Sequence, residues 1–207
     1  MTLVCRRHLS AACPIMRAHI KRIGPLAWPK PETADLYLAL VRAVAHQQLH
    51  ARAAESILGR LAAACGGAIP APEMLLALPD EVIRGCGFSG SKMAALRDIA
   101  ARAAEGTVPS PAKAKRLSDQ ALIERLTTIR GVGQWTVEML LIFTLKRPDV
   151  FPVEDFGVRE GYRLLYGLEA QPKPKPFAVI GERYAPYRSM AALYLWRAAD
   201  LAKGVKK

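Results

Sequence analysis

Cysteine is scarce in this sequence, and no two cysteines are spaced as a metal site would require. The four cysteines are Cys5, Cys13, Cys65 and Cys86, all in the first half of the chain, and no C-x-x-C pair occurs. Neither a zinc site nor a disulfide framework is supported, because each needs a characteristic cysteine spacing. We therefore expect four reduced thiols.

Long apolar runs are also absent. No stretch of eighteen apolar residues occurs, and the basic N-terminal segment lacks the apolar core that precedes a cleavage signal. We expect no membrane association and a protein that is cytoplasmic and nucleoid-associated, or nuclear in a nucleated cell. His46 and His50 share a predicted helix face, but HQQLH lacks the glutamate of a zincin motif. No metal held by side chains and no organic cofactor is expected.

Acidic residues are the third shortage. In 207 residues, 18 Asp and Glu stand against 30 Lys and Arg, which gives a formal net charge of +12 and a pI near 9.9. This surplus is typical of proteins that bind the phosphate backbone of nucleic acid. On charge alone, a solvated basic surface or a membrane-surface binder remains an alternative.

Strand-like alternation of apolar and polar residues is missing, and helical periodicity dominates, so the fold class is predicted to be all-α. Predicted helices cover residues 35–45, 51–64, 72–78, 80–84, 92–104, 119–127, 134–145, 155–165 and 187–202. Ser118 is predicted to cap the helix that follows it. The proline-rich stretch QPKPKP is predicted to be a loop before the last helix.

The segment from Leu126 to Val158 holds the most informative pattern. Gly131-Val132-Gly133 lies between two predicted helices, and glycines there permit positive φ and close backbone approach. The amides at the start of the following helix favour an anion such as a phosphate. Asp155 lies at the predicted N-cap of the next helix, where the positive helix terminus favours an ionised carboxylate. From the residues alone, a simple turn and a structural cap are the competing interpretations.

Five stretches carry a resemblance to a known family: LVRAVAHQQLHARAA, GCGFSGSKMAALRDIA, LTTIRGVGQWTVEMLLIF, DVFPVEDFGVREGY and YRSMAALYLWRAA. With them the chain resembles the helix-hairpin-helix DNA glycosylase superfamily, in the short form of its 3-methyladenine DNA glycosylase II branch. The resemblance implies an all-α fold with two helical lobes flanking an active-site cleft, in one unit over residues 1–207. One lobe would cover about 34–116 and the other about 117–202, with residues 1–33 packed on the second.

The resemblance also implies an activity, the excision of alkylated purines of the 3-methyladenine and 7-methylguanine type to initiate base excision repair. Asp155 matches the catalytic aspartate of the family. A fixed carboxylate stabilises the positive charge that develops on the sugar, and it can help to orient the attacking water. Glu154 is interpreted as a solvated neighbour or a local electrostatic helper.

DNA contacts are implied in two places. The amides of Gly131 and Gly133 would hold a phosphate, with Thr136 nearby, and backbone carbonyls at the hairpin would hold a monovalent cation. Ser89 and Lys92, at a second junction between loop and helix, are candidate phosphate contacts, although a solvated surface is the alternative. The implied partner is double-stranded DNA with a damaged base, bound by a monomer.

The damaged base must leave the helical stack to react, so a base pocket is implied. Trp135 and Trp196 match pocket positions of the branch, and Phe156 and Met139 are predicted to be further walls. Indole faces attract a cationic base, although a core position is the ordinary interpretation of a tryptophan.

Base flipping leaves a gap in the duplex that an inserted side chain would fill. The loop Gln47-Gln48-Leu49-His50 is predicted to supply this wedge, either from Leu49 or from His50. For Leu49, a core position is the competing interpretation.

The strand-cutting members of the superfamily carry a lysine nucleophile two residues after the second hairpin glycine, where this chain has Trp135. A monofunctional enzyme is therefore predicted, which leaves an abasic site. An iron–sulfur cluster is excluded, because no cysteine follows Cys86. Two other functions remain alternatives: a catalytically silent helix-hairpin-helix module that binds DNA, and a glycosylase for another base such as uracil or a mismatched adenine.

Overall fold

The computed structural model describes residues 3–204, and this part of the chain is all-α, with no strand, as predicted. The helices, in chain order, are α1 Leu3–Ala12, α2 Pro14–Ile23, α3 Leu36–His46, α4 Ala51–Ala64, α5 Pro72–Ala77, α6 Asp80–Gly85, α7 Gly90–Ala104, α8 Pro111–Arg116, α9 Asp119–Leu126, α10 Gln134–Met139, α11 Phe156–Tyr166, α12 Pro174–Glu182 and α13 Arg188–Ala202. A π-helical turn, Leu140–Thr144, continues α10.

Side-chain caps determine where several helices begin. Ser118 Oγ accepts the Ala121 amide at 3.1 Å and so caps α9 as predicted. The predicted loop QPKPKP is wrong in its second half, because α12 begins at Pro174. Proline is tolerated in the first turn of a helix, where its missing N–H would have no intrahelical partner. Proline therefore marked the start of a helix in a stretch that the sequence pattern assigned to a loop.

The helices divide into two compact units. Within the described residues, one unit contains 3–30 and 141–204, and the other comprises Pro31–Leu140. The predicted lobes had their boundary near residue 117, whereas the structure groups 117–140 with the helices that precede it. Local bonds explain the difference, since Asp98 Oδ2 of α7 accepts the Arg130 amide at 2.7 Å. Helix α2 packs against α11 within its unit.

The unit Pro31–Leu140 is organised around α7, which packs against α3 and α5, while α3 also packs against α4. Its core includes Leu40, Val44, Leu96 and Ile99, all fully buried. This packing holds α3 against α7, and the Asp98–Arg130 bond joins the turn between α9 and α10 to the same helix.

The other unit is built on α11 and α13, which make the most extensive helix pair of the fold. The pair is so close that a Cβ on Gly161 of α11 would lie 1.8 Å from the carbonyl oxygen of Leu195 of α13. Aromatic side chains form the core beside this pair, and Tyr184, Tyr194 and Phe177 are fully buried. The start of α11 and the middle of α13 are thereby held against each other.

His19 in this unit makes folding stability dependent on pH. Its Nε2 contacts the Tyr194 carbonyl oxygen at 2.9 Å and must donate, while Nδ1 contacts the Arg22 guanidinium at 3.4 Å and must accept. Burial lowers the pKa of His19 below 6.5, against the opposing bond to Tyr194 and with help from the charge of Arg22. The unfolded chain therefore binds this proton more tightly, so the stabilisation is complete above the unfolded pKa and is lost as pH falls below it.

We expect the melting temperature of the wild type to fall more steeply than that of His19→Gln as pH drops from about 7.5 to about 5. Glutamine keeps a donor for the Tyr194 carbonyl but has no proton to gain. Thermal unfolding followed by circular dichroism measures the difference, and parallel curves for the two proteins would contradict the assignment.

Candidate active site

The hairpin between α9 and α10 needs glycine at its first position. Gly131 has φ +76°, and a Cβ there would also lie 3.0 Å from the Ala95 Cβ. Gly133 is the N-cap of α10 with φ −91°, and no atom lies within 4 Å of where its Cβ would be. Both glycines are exposed. The first glycine is required by the turn, and the second leaves open space at the amide end of α10, where an anion is favoured.

Two side chains from elsewhere in the unit hold this hairpin, and the sequence patterns revealed neither of these bonds. Asp98 of α7 accepts the Arg130 amide at 2.7 Å, and the side-chain amide of Gln47 donates to the Gly131 carbonyl at 2.9 Å. Gln47 directly follows α3 and begins the predicted wedge loop. The wedge loop and the hairpin are therefore joined by a hydrogen bond between residues 84 positions apart.

A cavity of about 470 Å³ opens beside Trp135 in the same unit. Trp135 is 46% exposed, and the cavity is lined mainly by apolar groups. The lining residues are Ala43, His46, Gln47, Gln48, Trp135, Thr136 and Met139. The volume is typical of a site for a small organic group. Of the predicted pocket residues, Trp135 and Met139 line it, and Thr136, predicted near the phosphate, is a buried part of its wall.

The loop after α3 presents its side chains to solvent. Gln48 has φ +57°, which is unusual for a residue other than glycine. Leu49 is 40% exposed, so the competing interpretation as a core residue does not hold. His50 is exposed, and its side chain makes no cap bond although it occupies the N-cap of α4. Both wedge candidates are thus accessible, and the choice between them stays a prediction.

Asp155 lies in the other unit as the N-cap of α11 and is 7% exposed. Its Oδ1 accepts the Val158 amide at 2.7 Å and the Trp196 Nε1 at 2.8 Å. Two donors and the N-cap position fix the orientation of this carboxyl group. Glu154, one position earlier, is exposed. The adjacent acids therefore differ, because one carboxylate is buried and held in place while the other is solvated.

Trp196 of α13 is placed by its contacts with α11. A Cβ on Gly157 would lie 2.8 Å from Trp196 Cδ1, 3.0 Å from Nε1 and 3.2 Å from Asp155 Oδ1. Phe143 packs on the indole, with ring centroids 5.5 Å apart. Sequence analysis did not single out Gly157 or Phe143. The glycine directly after the Asp-Phe pair could have indicated a close contact at this position. Phe156, predicted as a pocket wall, is 63% exposed in this unit.

Ser89 and Lys92 have structural partners. Ser89 caps α7 by accepting the Lys92 amide at 3.4 Å. The Lys92 ammonium donates to the Ala45 carbonyl at 2.8 Å, near the end of α3, and burial lowers its pKa. These bonds show what both residues do in the fold, and their contact with DNA stays a prediction.

The imidazole of His46 contacts a carboxylate. Its Nε2 contacts Glu55 Oε1 at 2.8 Å, and the same oxygen accepts from Arg42 at 2.7 Å. Across residues 3–204, no group of three or more His, Cys, Asp or Glu side chains is placed to hold a metal ion. The described cysteines are all free thiols.

The resemblance implies release of an alkylated base, and replacing Trp196 with phenylalanine is expected to slow that release by about tenfold. A charged acceptor loses one of its donors while an aromatic ring is kept. The matched control is Trp28→Phe, since Trp28 Nε1 donates to the Ile142 carbonyl at 2.8 Å in the same unit. Single-turnover rate constants on one alkylated duplex measure the effect. An equal loss in both variants would show that the tryptophans support only the fold.

Comparisons with known proteins agree with this arrangement. Residues 41–186 match the family model described as HhH-GPD superfamily base excision DNA repair protein. A DNA-3-methyladenine glycosylase of Schizosaccharomyces pombe is 44% identical over 84% of this chain and 77% of its own length. The chain belongs to the HhH-GPD superfamily of base excision DNA repair proteins.

Solved structures show the same relationship. A 3-methyladenine DNA glycosylase of S. pombe in complex with abasic DNA superposes with a TM-score of 0.85 at 40% identity, covering 98% of this chain and 99% of that one. A DNA-3-methyladenine glycosidase of Bacillus halodurans superposes with a TM-score of 0.86 at 32% identity, covering 96% of this chain and 90% of that one. The predicted helix-hairpin-helix glycosylase fold is thereby confirmed.

Proposed function

We propose that this protein is a monofunctional DNA glycosylase that excises alkylated purines, of the 3-methyladenine and 7-methylguanine type, from duplex DNA. The observation that carries the proposal is the buried Asp155 carboxylate, held by two donors at an N-cap in a chain of this family. A relative at 44% identity is named for 3-methyladenine, which supports the lesion class. The reaction initiates base excision repair.

Asp155 would act on the sugar. Breaking the N-glycosidic bond leaves positive charge on the deoxyribose, and a fixed carboxylate stabilises that charge without having to reorganise. The carboxylate can also orient the water that attacks the sugar carbon. An alkylated purine is itself a cationic leaving group, so it departs without strong acid assistance. This chemistry fits a site in which Asp155 is fixed and Glu154 is solvated.

The cavity beside Trp135 would receive the flipped base. Its indole is 46% exposed, and an indole face attracts a cationic base by about 0.5–2 kcal/mol. The preference is modest, so the weakened glycosidic bond of the damaged base supplies much of the selectivity. Because Trp135 occupies the position of the lysine nucleophile, no Schiff base forms and the product is an abasic site.

The hairpin would hold the strand. Open space at Gly133 allows a phosphate to approach the amides at the start of α10, and the exposed Leu49 or His50 would fill the gap left by the base. The hairpin carbonyls would hold the monovalent cation implied by the family. The Ile129 carbonyl accepts the Val132 amide at 3.1 Å and that of Gly131 accepts Gln47, which leaves each oxygen a second lone pair. A bound cation would add positive charge near the phosphate.

The test is a set of duplexes that carry 3-methyladenine, 7-methylguanine, ethenoadenine, hypoxanthine or uracil. Each is incubated with the protein, and released base and strand breaks are scored with and without alkali. We expect release of the alkylated purines, with breaks only after alkali. DNA binding without base release from any duplex would overturn the assignment as an enzyme. Strand breaks without alkali would overturn the monofunctional assignment. Release of uracil alone would favour the alternative substrate class.

The substrate also bears on where the protein acts. Among residues 3–204, no helix has the length and apolar character needed to cross a membrane. We propose that the protein works where chromosomal DNA is, in the nucleoid or, in a nucleated cell, the nucleus.

A further inference from the structure

Charge is unevenly distributed along the chain. The first 31 residues contain six of the 30 lysines and arginines and none of the 18 acidic residues, so they carry half of the formal net charge of +12. The cations are Arg6, Arg7, Arg17, Lys21, Arg22 and Lys30. The rest of the chain carries the other half over more than five times the length. The positive charge of the first 31 residues is therefore a feature of this segment and not of the chain as a whole.

The packing of α1 and α2 brings these cations to the surface. Each helix buries one face, through Cys5 and Leu9 in α1 and through Met16 and Ile20 in α2. All six cations are exposed. No carboxylate of the described chain pairs with any of them, whereas surface arginines elsewhere, such as Arg163 with Glu160 at 2.7 Å, do have acidic partners.

Three of the guanidinium groups converge. Arg6, Arg7 and Arg17 line one open depression of about 240 Å³, together with Ser10 and Ala11. Arg17 Nε donates to the Ser10 carbonyl at 2.9 Å, which limits the freedom of its side chain. Three like charges around one depression repel each other until an anion enters, and the guanidinium fork matches the oxygens of a phosphate.

One further cation lies beside the depression. Lys21 is one helical turn beyond Arg17 on the same face of α2. A single small anion would occupy only the depression, whereas a polyanion with regularly spaced phosphates can contact the depression and Lys21 together. Since the chain belongs to a family of DNA repair proteins, DNA is the polyanion that it meets.

We propose that the exposed face of α1 and α2 is a DNA-binding surface that contacts the sugar–phosphate backbone of a duplex without sequence preference. Such contacts release counterions, and they add to affinity for undamaged DNA, along which a repair enzyme must search. The surface is separate in its residues from the hairpin, the wedge loop and Asp155, and it goes beyond the proposed excision reaction.

The test compares two full-length variants that each lose three exposed charges from the same unit. The first removes the charges around the depression: Arg6→Gln, Arg7→Gln and Arg17→Gln. The control removes three on and beside α12: Lys173→Gln, Lys175→Gln and Arg183→Gln. The Kd for an undamaged duplex is measured by fluorescence anisotropy over a range of salt concentrations, after circular dichroism has shown that both variants are folded.

We expect the first variant to raise Kd by about tenfold or more. The slope of log Kd against log salt concentration should fall by about two to three. The control should stay near the wild type in both quantities. Arg7→Gln alone should reduce the slope by about one and serves if the triple variant is unstable. Equal behaviour of the two triple variants would overturn the proposal. The proposal would also be overturned if the first variant lost binding to phosphatidylglycerol vesicles while its DNA binding was unchanged, because that result would identify a membrane-binding surface.

Base release distinguishes this proposal from the proposed function. At saturating enzyme, the single-turnover rate constant of the first variant should equal that of the wild type, because its substitutions leave Asp155 and the cavity intact. A wild type that binds DNA through this face but releases no base would contradict only the glycosylase assignment. A wild type that releases base with no change in DNA affinity in the first variant would contradict only the surface.

Discussion

Asp155→Asn is expected to lose base release while it keeps the fold and DNA binding. The asparagine oxygen can still accept from the Val158 amide and from Trp196 Nε1, which lie 2.7 and 2.8 Å from Oδ1. Asparagine is also a favourable N-cap residue, so α11 should begin at the same place. Only the negative charge is removed, and losing one preorganised electrostatic group costs about 10²- to 10³-fold in rate.

Single-turnover release from a 7-methylguanine duplex measures this loss, with the affinity for undamaged DNA measured in parallel. Glu154→Gln is the matched control, because it removes the same charge from the exposed neighbouring position. We expect the control to stay within a few-fold of the wild type. If the rate of base release fell equally in both variants, the electrostatic potential of the whole region would matter and not the hydrogen-bonded carboxylate of Asp155.

Of the substitutions proposed for this protein, Gly161→Ala is expected to lower the free energy of unfolding the most. Its Cβ would lie 1.8 Å from the Leu195 carbonyl oxygen and 2.5 Å from the carbonyl carbon, and these are backbone atoms that no rotamer change can move. Helices α11 and α13 would have to separate. Overpacking typically costs 1–3 kcal/mol and occasionally more, so we expect the free energy of unfolding to fall by about 3 kcal/mol.

Urea unfolding measures this change, and Gly59→Ala is the control. Gly59 lies within α4, and no atom is found within 4 Å of its Cβ position, so alanine there should stabilise the protein by about 0.5–1 kcal/mol. Because α11 carries Asp155 and α13 carries Trp196, base release should fall in Gly161→Ala even where the protein is still folded. A Gly161→Ala protein as stable as the wild type would show that the helices have room to move apart.

The parts of the fold that sequence analysis predicted well are those in which neighbouring residues decide the outcome. The cap at Ser118, the turn at Gly131 and the N-cap at Asp155 each depend on residues within a few positions. The π-helical turn after Met139 was predicted as ordinary helix, because its apolar residues fit either period. Helices α1, α2, α8 and α12 were not predicted, and none of the four is longer than ten residues.

The candidate site was predicted only in outline. Asp155 and Trp196 were each singled out, yet the bond between them joins residues 41 positions apart and left no periodic signal. The same holds for Gln47, directly after α3, and for Asp98 of α7, whose side chains hold the hairpin. For Lys92, the predicted phosphate contact stays a prediction, and the bond from its ammonium to the Ala45 carbonyl joins residues 47 positions apart and left no local signal either.

The sequence by itself therefore determined the all-α class, the family, the hairpin glycines and the aspartate, because each depends on residue type and short spacing. Only the tertiary structure decided how that aspartate is held, which glycines allow close helix packing, and that Arg6, Arg7 and Arg17 line one depression. Those features arise where segments distant in the chain pack together. A side chain's partners across such a contact depend on the packing of whole helices, and no local pattern contains that information.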